Sequence, residues 1–201
     1  HRVFRLRAAD LPVRNFEFRS ARTRRMKVLA LQIEGFRGIR KAVVVFSEHA
    51  VLVGPNGSGK STILDALSLT FGRTQLVREL TEHDFFGSTP AEATRFRLVA
   101  TVGGFSTEEP DDRHDWFRDG RGVPKWWNSK TNKAEPQPSA DATTLCVQIG
   151  LAARFDHDEL KVEQLRYFHD DDDLVDPFDE DAVNPFPNRL LNEIGFFVLP
   201  V

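Results

Sequence analysis

The sequence predicts an α/β fold in which a glycine loop joins a buried strand to a helix, with an antiparallel β lobe attached. Three observations predict it. An apolar run, Ala50 to Val53, leads into Gly54-Pro55-Asn56-Gly57-Ser58-Gly59-Lys60-Ser61-Thr62, and an amphipathic run, Ile63 to Phe71, follows. Two strand-like runs flank a turn, Gly35-Phe36-Arg37-Gly38, just upstream. Apolar alternation with a period of two then dominates the chain after the helix, clearest at Phe96 to Val102 and Leu145 to Phe155.

The loop carries the most specific chemistry. Residues 54–61 match G-x-x-x-x-G-K-[ST] in its required setting of strand, loop and helix. A chance match in a chain this long is on the order of one in a hundred from ordinary residue usage. A loop that wraps a polyphosphate must point several backbone N–H groups inward. Gly54, Gly57 and Gly59 reach backbone angles closed to other residues and present no Cβ to the ligand. Pro55, Asn56 and Ser58 complete the loop. The helix starting near Lys60 adds unpaired N–H groups and a positive dipole end. Lys60 is the residue expected to serve catalysis, reaching the β- and γ-phosphates as a mobile charge. The Ser61 hydroxyl is expected on Mg²⁺, and Thr62 on the α-phosphate. These features predict ATP with Mg²⁺ as the ligand.

Composition narrows the remaining classes. The 201 residues carry 40% hydrophobic content, enough for one sizeable core or a core with a small lobe. The net charge of −3 names no partner by itself. Its distribution is uneven: arginines crowd residues 1–25, and aspartates crowd residues 170–181. A single cysteine, Cys146, excludes an internal disulfide and fits a reducing, cytoplasmic setting. No apolar run approaches the ~18 residues of a membrane span, so no membrane partner is expected.

In chain order, residues 1–25 read as a basic extension, either non-native or disordered, with an arm touching nucleic acid as the alternative. Residues 26–201 read as one domain. Leu29, Leu31 and Ile33 alternate, and Ala42 to Phe46 forms the second arm of a hairpin. Ala50 to Val53 reads as a short parallel strand buried on both faces. The loop helix is expected to end at Phe71 with Gly72 as its stop. Leu80 to Phe86 reads as an amphipathic turn, and antiparallel strands fill about 94–168. An irregular insertion, about 103–140, carries Trp116, Trp126 and Trp127. Those aromatics either pin the insertion to the core or, with Arg118, Arg121, Lys125 and Lys130, contact nucleic-acid bases. The aspartate run reads as solvated loop, because no glycine is placed to fold it round a metal. Asn188 is placed to cap a helix ending at Gly195, and Phe196 to Leu199 reads as a buried strand.

The order strand, Gly-Phe-Arg-Gly, strand, GPNGSGKST resembles ABC-type ATPase heads related to the structural-maintenance-of-chromosomes and recombination-protein-F proteins. Within that group the chain looks most like the OLD (overcoming lysogenization defect) family of ATP-dependent endonucleases. The residues that carry this likeness are Lys27 to Arg40, the loop, Leu80-Thr81-Glu82-His83-Asp84-Phe85, and Ile194 to Pro200. The resemblance implies a P-loop ATPase of ABC-head type, here its N-terminal half. It implies a head dimer that sandwiches ATP, DNA as a partner, and a role in DNA repair or phage defence. It places Arg37 near the nucleotide and expects a Mg²⁺-binding glutamine, for which Gln148 and Gln164 match in residue type only.

The resemblance also expects a signature motif, a strand ending in Asp-Glu and a Toprim nuclease domain, none of which is found before Val201. These 201 residues are accordingly expected to bind nucleotide weakly and to hydrolyse it poorly. A DNA-repair or chromosome-organising ATPase without nuclease activity is the alternative. Further alternatives are a transporter's ATPase subunit and a non-catalytic nucleotide-binding module.

Overall fold

Strand β1 (Lys27–Phe36) forms because its apolar residues alternate: Leu31, Ile33 and Phe36 are fully buried, while Gln32 between them is exposed. A computed structural model describes residues 26–47, 50–72, 79–118, 121–170 and 176–196. The basic stretch 1–25, most of the aspartate run and most of the expected strand at 196–199 lie outside these residues.

β1 turns through Arg37 and Gly38 into β2 (Ile39–Val45), its antiparallel neighbour. Helix α1 (Lys60–Phe71) follows the glycine loop. β3 (Arg95–Gly103) then pairs with the other side of β1. A short helix, α2 (His114–Phe117), and a small hairpin, β4 (Lys125–Asn128) with β5 (Lys133–Glu135), precede the long strand β6 (Ala142–Asp156). β7 (Lys161–Phe168), the two-residue β8 (Asn184–Pro185) and α3 (Asn188–Ile194) complete the described elements. The sheet order is β2-β1-β3-β6-β4-β5, and β7 pairs β6 beyond the end of β4. Every pairing in this eight-stranded sheet is antiparallel.

The two faces of the sheet differ. One carries Leu31, Ile33, Leu98, Ala100, Val102, Val147, Ile149 and Leu151, and packs with Ala66, Leu67, Leu69 and Phe71 of α1 in the main core. Each large side chain fully buried there contributes about 1.5–3 kcal/mol. The other face carries Gln32, Arg97, Thr101 and Gln148. Tyr167 lies flat across Gly150, where a Cβ would stand 2.3 Å from its ring. Burial there pushes the Tyr167 phenol up to about 12.

Three expectations are corrected. Residues 50–53 form no strand, and Val51 and Val53 are 83% and 88% exposed. A parallel strand exists only through its neighbours, and among the described residues none pairs with this segment. The fold described is therefore mainly antiparallel sheet with few helices. Next, Gly72 does not adopt a left-handed cap; its φ is −67°. The last carbonyls of α1 are met instead by the Arg166 guanidinium, 2.9 Å from Leu69 O and 3.2 Å from Gly72 O, where a cation also suits the helix dipole. Gly195, by contrast, does take the left-handed form after α3, with φ 64°. Finally, the 103–140 segment is not irregular throughout, since α2, β4 and β5 lie within it. Asn128 accepts hydrogen bonds from the Lys130 and Thr131 amides and so folds the β4–β5 turn.

Candidate nucleotide-binding loop

The loop at 54–62 is held open by its glycines. Gly57 and Gly59 have φ of +78° and +87°, in the left-handed region that costs another residue about 1–2 kcal/mol. At Gly54 a Cβ would meet Ser58 Oγ at 2.8 Å. Ser58 N donates to Pro55 O at 3.3 Å and closes a turn over Asn56 and Gly57. Gly54 through Ser58, with Ser61, are exposed, and Thr62 is half-buried.

Helix α1 begins at Lys60 with Gly59 as its N-cap, so no side chain occupies the free N–H groups of the first turn. No acidic residue stands in that turn either. An uncapped helix start beside left-handed glycines concentrates inward-pointing donors, an arrangement that suits an anion. Lys60 Nζ donates to Gly54 O and Pro55 O, both at 2.7 Å, so its ammonium lies across its own loop. Those two carbonyls hold the charge where a phosphate oxygen would compete for it. Ser61, next on the helix, offers a hydroxyl of the kind that binds Mg²⁺ beside a phosphate. The residues present therefore fit a Mg²⁺-bound polyphosphate.

Arg37 is placed beside this loop by the β1–β2 turn. Ile39, two residues on, lies 3.7 Å from the position a Gly59 Cβ would take. Arg37 itself has φ +50°, and its amide donates to Asp84 O at 2.8 Å. Its guanidinium donates to Asp84 Oδ1 at 3.0 Å and is paired with Asp65 on α1. Asp84 is almost fully buried and also receives the Thr81 amide at 3.0 Å. Arg37 thus ties the turn, the 81–84 segment and the loop helix together. These acidic partners are 28 and 47 residues away in sequence. No local signal marks them, although Asp84 falls within the stretch that carried the family likeness.

The other candidates separate. Gln148 lies on the sheet face opposite α1, with Lys125 Nζ donating to its Oε1 at 2.6 Å and its own amide donating to Thr101 Oγ1 at 3.3 Å. Gln164 is exposed on β7, opposite Ala153. Of the proposed base-contacting set, Trp116 is fully buried and packs on Phe105 and Phe186. Trp126 is half-buried against the core. Arg118 pairs with Asp111, Lys130 with Asp141, and Arg121 donates to backbone carbonyls of α2. Among the described residues Trp127 lines an open cleft. Apolar packing took the other two indoles, since a core against one sheet face needs large side chains from the insertion that covers it.

Comparison with known proteins adds to this geometry. Residues 26–136, more than half of the chain, match a family described as "Protein of unknown function (DUF2813)". An 88-residue stretch is 38% identical to the DNA replication and repair protein RecF of Agrobacterium fabrum; it covers 43% of this chain and 23% of that protein. A 48-residue stretch is 40% identical to Structural maintenance of chromosomes protein 1 of Arabidopsis thaliana; it covers 23% of this chain and 4% of that protein. The chain thus spans less than a quarter of the length of either relative. Among the described residues no helix is long and apolar enough to cross a membrane.

Proposed function

The chain belongs to the DUF2813 family, and from that premise we propose that it is the ATP-binding segment of a DNA-repair or chromosome-organising ATPase related to RecF and the structural-maintenance-of-chromosomes proteins. The observation that carries the reading is the uncapped start of α1 behind two left-handed glycines, with Lys60 lying across the loop. In this reading Gly54 to Thr62 enclose the triphosphate. Lys60 leaves its own carbonyls for the β- and γ-phosphates, and Ser61 binds Mg²⁺. Arg37 holds the loop helix in place through Asp65 and stands ready to meet charge near the nucleotide. Mg²⁺ held by Ser61 would neutralise phosphate charge. DNA is the partner on which the whole protein acts, and two such heads close on ATP as a homodimer. Hydrolysis belongs to the whole protein and regulates DNA processing.

The narrower OLD-type reading adds an ATP-dependent endonuclease and a role in phage defence. It rests on the likeness of Lys27 to Arg40, the glycine loop, Leu80 to Phe85 and Ile194 to Pro200. Mg²⁺-dependent DNA cleavage by the full-length protein separates it from the repair reading.

Thermal unfolding tests the common part. ATP that binds only the folded chain, at a hundred times its Kd with Mg²⁺, stabilises it by about 2.7 kcal/mol. For a chain of this size that raises Tm by about 5–10 °C. A Tm that does not move at millimolar Mg²⁺·ATP would count against the proposal.

A further inference from the structure

On the sheet face turned away from α1, Val99, Thr101 and Gln148 are buried, yet among the described residues the face is open beside them. It forms a cleft of about 470 Å³ between β2 and the β4–β5 hairpin. Gln32, Thr101 and Gln148 line its floor. Trp127, Asn132 and Lys133 form the hairpin wall, and Lys41 and Val43 form the wall opposite. Glu34, Arg97 and His169 close one end.

Three properties of this lining point to one chemistry. First, the lining holds one carboxylate, Glu34, against Lys41, Arg97 and Lys133. The hydrogen bond from Lys41, aided by the charges of Arg97 and His169, holds the Glu34 carboxyl below its ordinary range despite partial burial. Lys133 is exposed and has no ion pair in the described structure. Such a surface attracts an anion. Second, Trp127 is half-buried and lines the cleft. An indole facing a cleft gives a nucleobase a stacking platform. Third, the amides of Gln32 and Asn132 are exposed and pair donors with acceptors, as the edge of a base does. The wall is rigid because Asn128 bonds both to the turn amides and, through Nδ2, to Glu135 at 2.7 Å.

We propose that this cleft is a second nucleotide-unit site, distinct from the loop at 54–62, with the base stacked on Trp127 and the phosphate met by Lys133 and Lys41. The volume suits about one nucleotide within the range of ordinary ligand sites. The unit is either a free nucleotide or one residue of a single strand. An acidic peptide would satisfy the lysines and leave the indole and amides unused. The site stands on the sheet face alone and does not depend on ATP binding at the loop.

The test uses fluorescence anisotropy of a labelled pentadeoxyadenylate with the chain carrying Lys60→Ala and without Mg²⁺, so that the loop's own phosphate binding is strongly weakened. Binding is expected to persist in that background. It should weaken roughly tenfold or more with Trp127→Ala and hold nearly unchanged with Trp127→Phe. Lys133→Glu, at an exposed position that leaves folding intact, should weaken it and flatten its salt dependence. Displacement by dAMP assigns the cleft to free nucleotides, and resistance to dAMP assigns it to a strand; both keep the site. No binding, affinity unmoved by both Trp127→Ala and Lys133→Glu, or equal displacement by polyglutamate would overturn it.

Discussion

Trp116→Ala is expected to destabilise the chain by about 3–5 kcal/mol, the range for emptying a fully buried indole site. Trp116 comes from the insertion, yet it sits at 0% exposure between Phe105 and Phe186, with ring centroids 5.3 and 5.8 Å away. Its Nε1 donates to Glu193 Oε2 at 3.2 Å, and the same carboxylate is held by Arg113 at 2.5 Å. One side chain therefore joins α2, the segment before α3, and α3 itself. Replacing it by alanine opens a cavity and leaves Glu193 with one partner fewer. In a chain of this size the loss lowers Tm by roughly 6–20 °C. Trp116→Phe keeps most of the volume and should cost less than half as much. Equilibrium denaturation of both variants checks this, and a Trp116→Ala loss under 1 kcal/mol would show that the insertion does not belong to the core.

Lys60→Ala is expected to weaken Mg²⁺·ATP binding by roughly 30–150-fold. A charge-assisted hydrogen bond to phosphate is worth about 2–3 kcal/mol, and every 1.4 kcal/mol is about tenfold. Stability should barely change. The ammonium bonds to the carbonyls of Gly54 and Pro55 and, at 3.5 Å, to Ser58 Oγ, all in its own exposed loop, and water replaces it there. The contrast with Trp116 is the informative part: one substitution removes stability, the other removes affinity at near-constant Tm. Equilibrium dialysis beside a thermal melt reads both. Lys60→Arg should not restore affinity fully, because a planar guanidinium cannot take the place of a compact ammonium among closely spaced oxygens.

What the sequence made legible follows from how local each signal is. β1, β3 and β6 are legible because large apolar residues recur at every second position, although the fold buries most of β3 and β6 on both faces. The loop at 54–62 was readable because its chemistry lies in consecutive residues. The segment at 50–53 misled because an apolar run declares a wish for burial and not the presence of a neighbour to pair with. β4 and β5 have no such signal, because two short strands with Trp126 beside Trp127 carry no period. Arg37 can be picked out from its turn; Asp65 reads from sequence as a solvated helix-face residue with a helix-to-loop salt bridge as the alternative, and Asp84 carries no such signal, since only the folded chain brings both within reach of Arg37. The cleft is less legible still. Its lining comes from β1, β2, β3, β6 and the hairpin, and no segment of sequence holds more than a few of its residues.

The central claim is that the glycine loop and the start of α1 enclose a nucleotide's phosphates. Amide chemical shifts of the ¹⁵N-labelled chain, titrated with Mg²⁺·ATP, test it most directly. The account predicts that the largest movements fall on Gly57, Gly59, Lys60, Ser61 and Thr62, and that with Lys60→Ala they need roughly 30–150-fold more ATP. Saturating ATP that leaves those amides in place, or moves others instead, would contradict it.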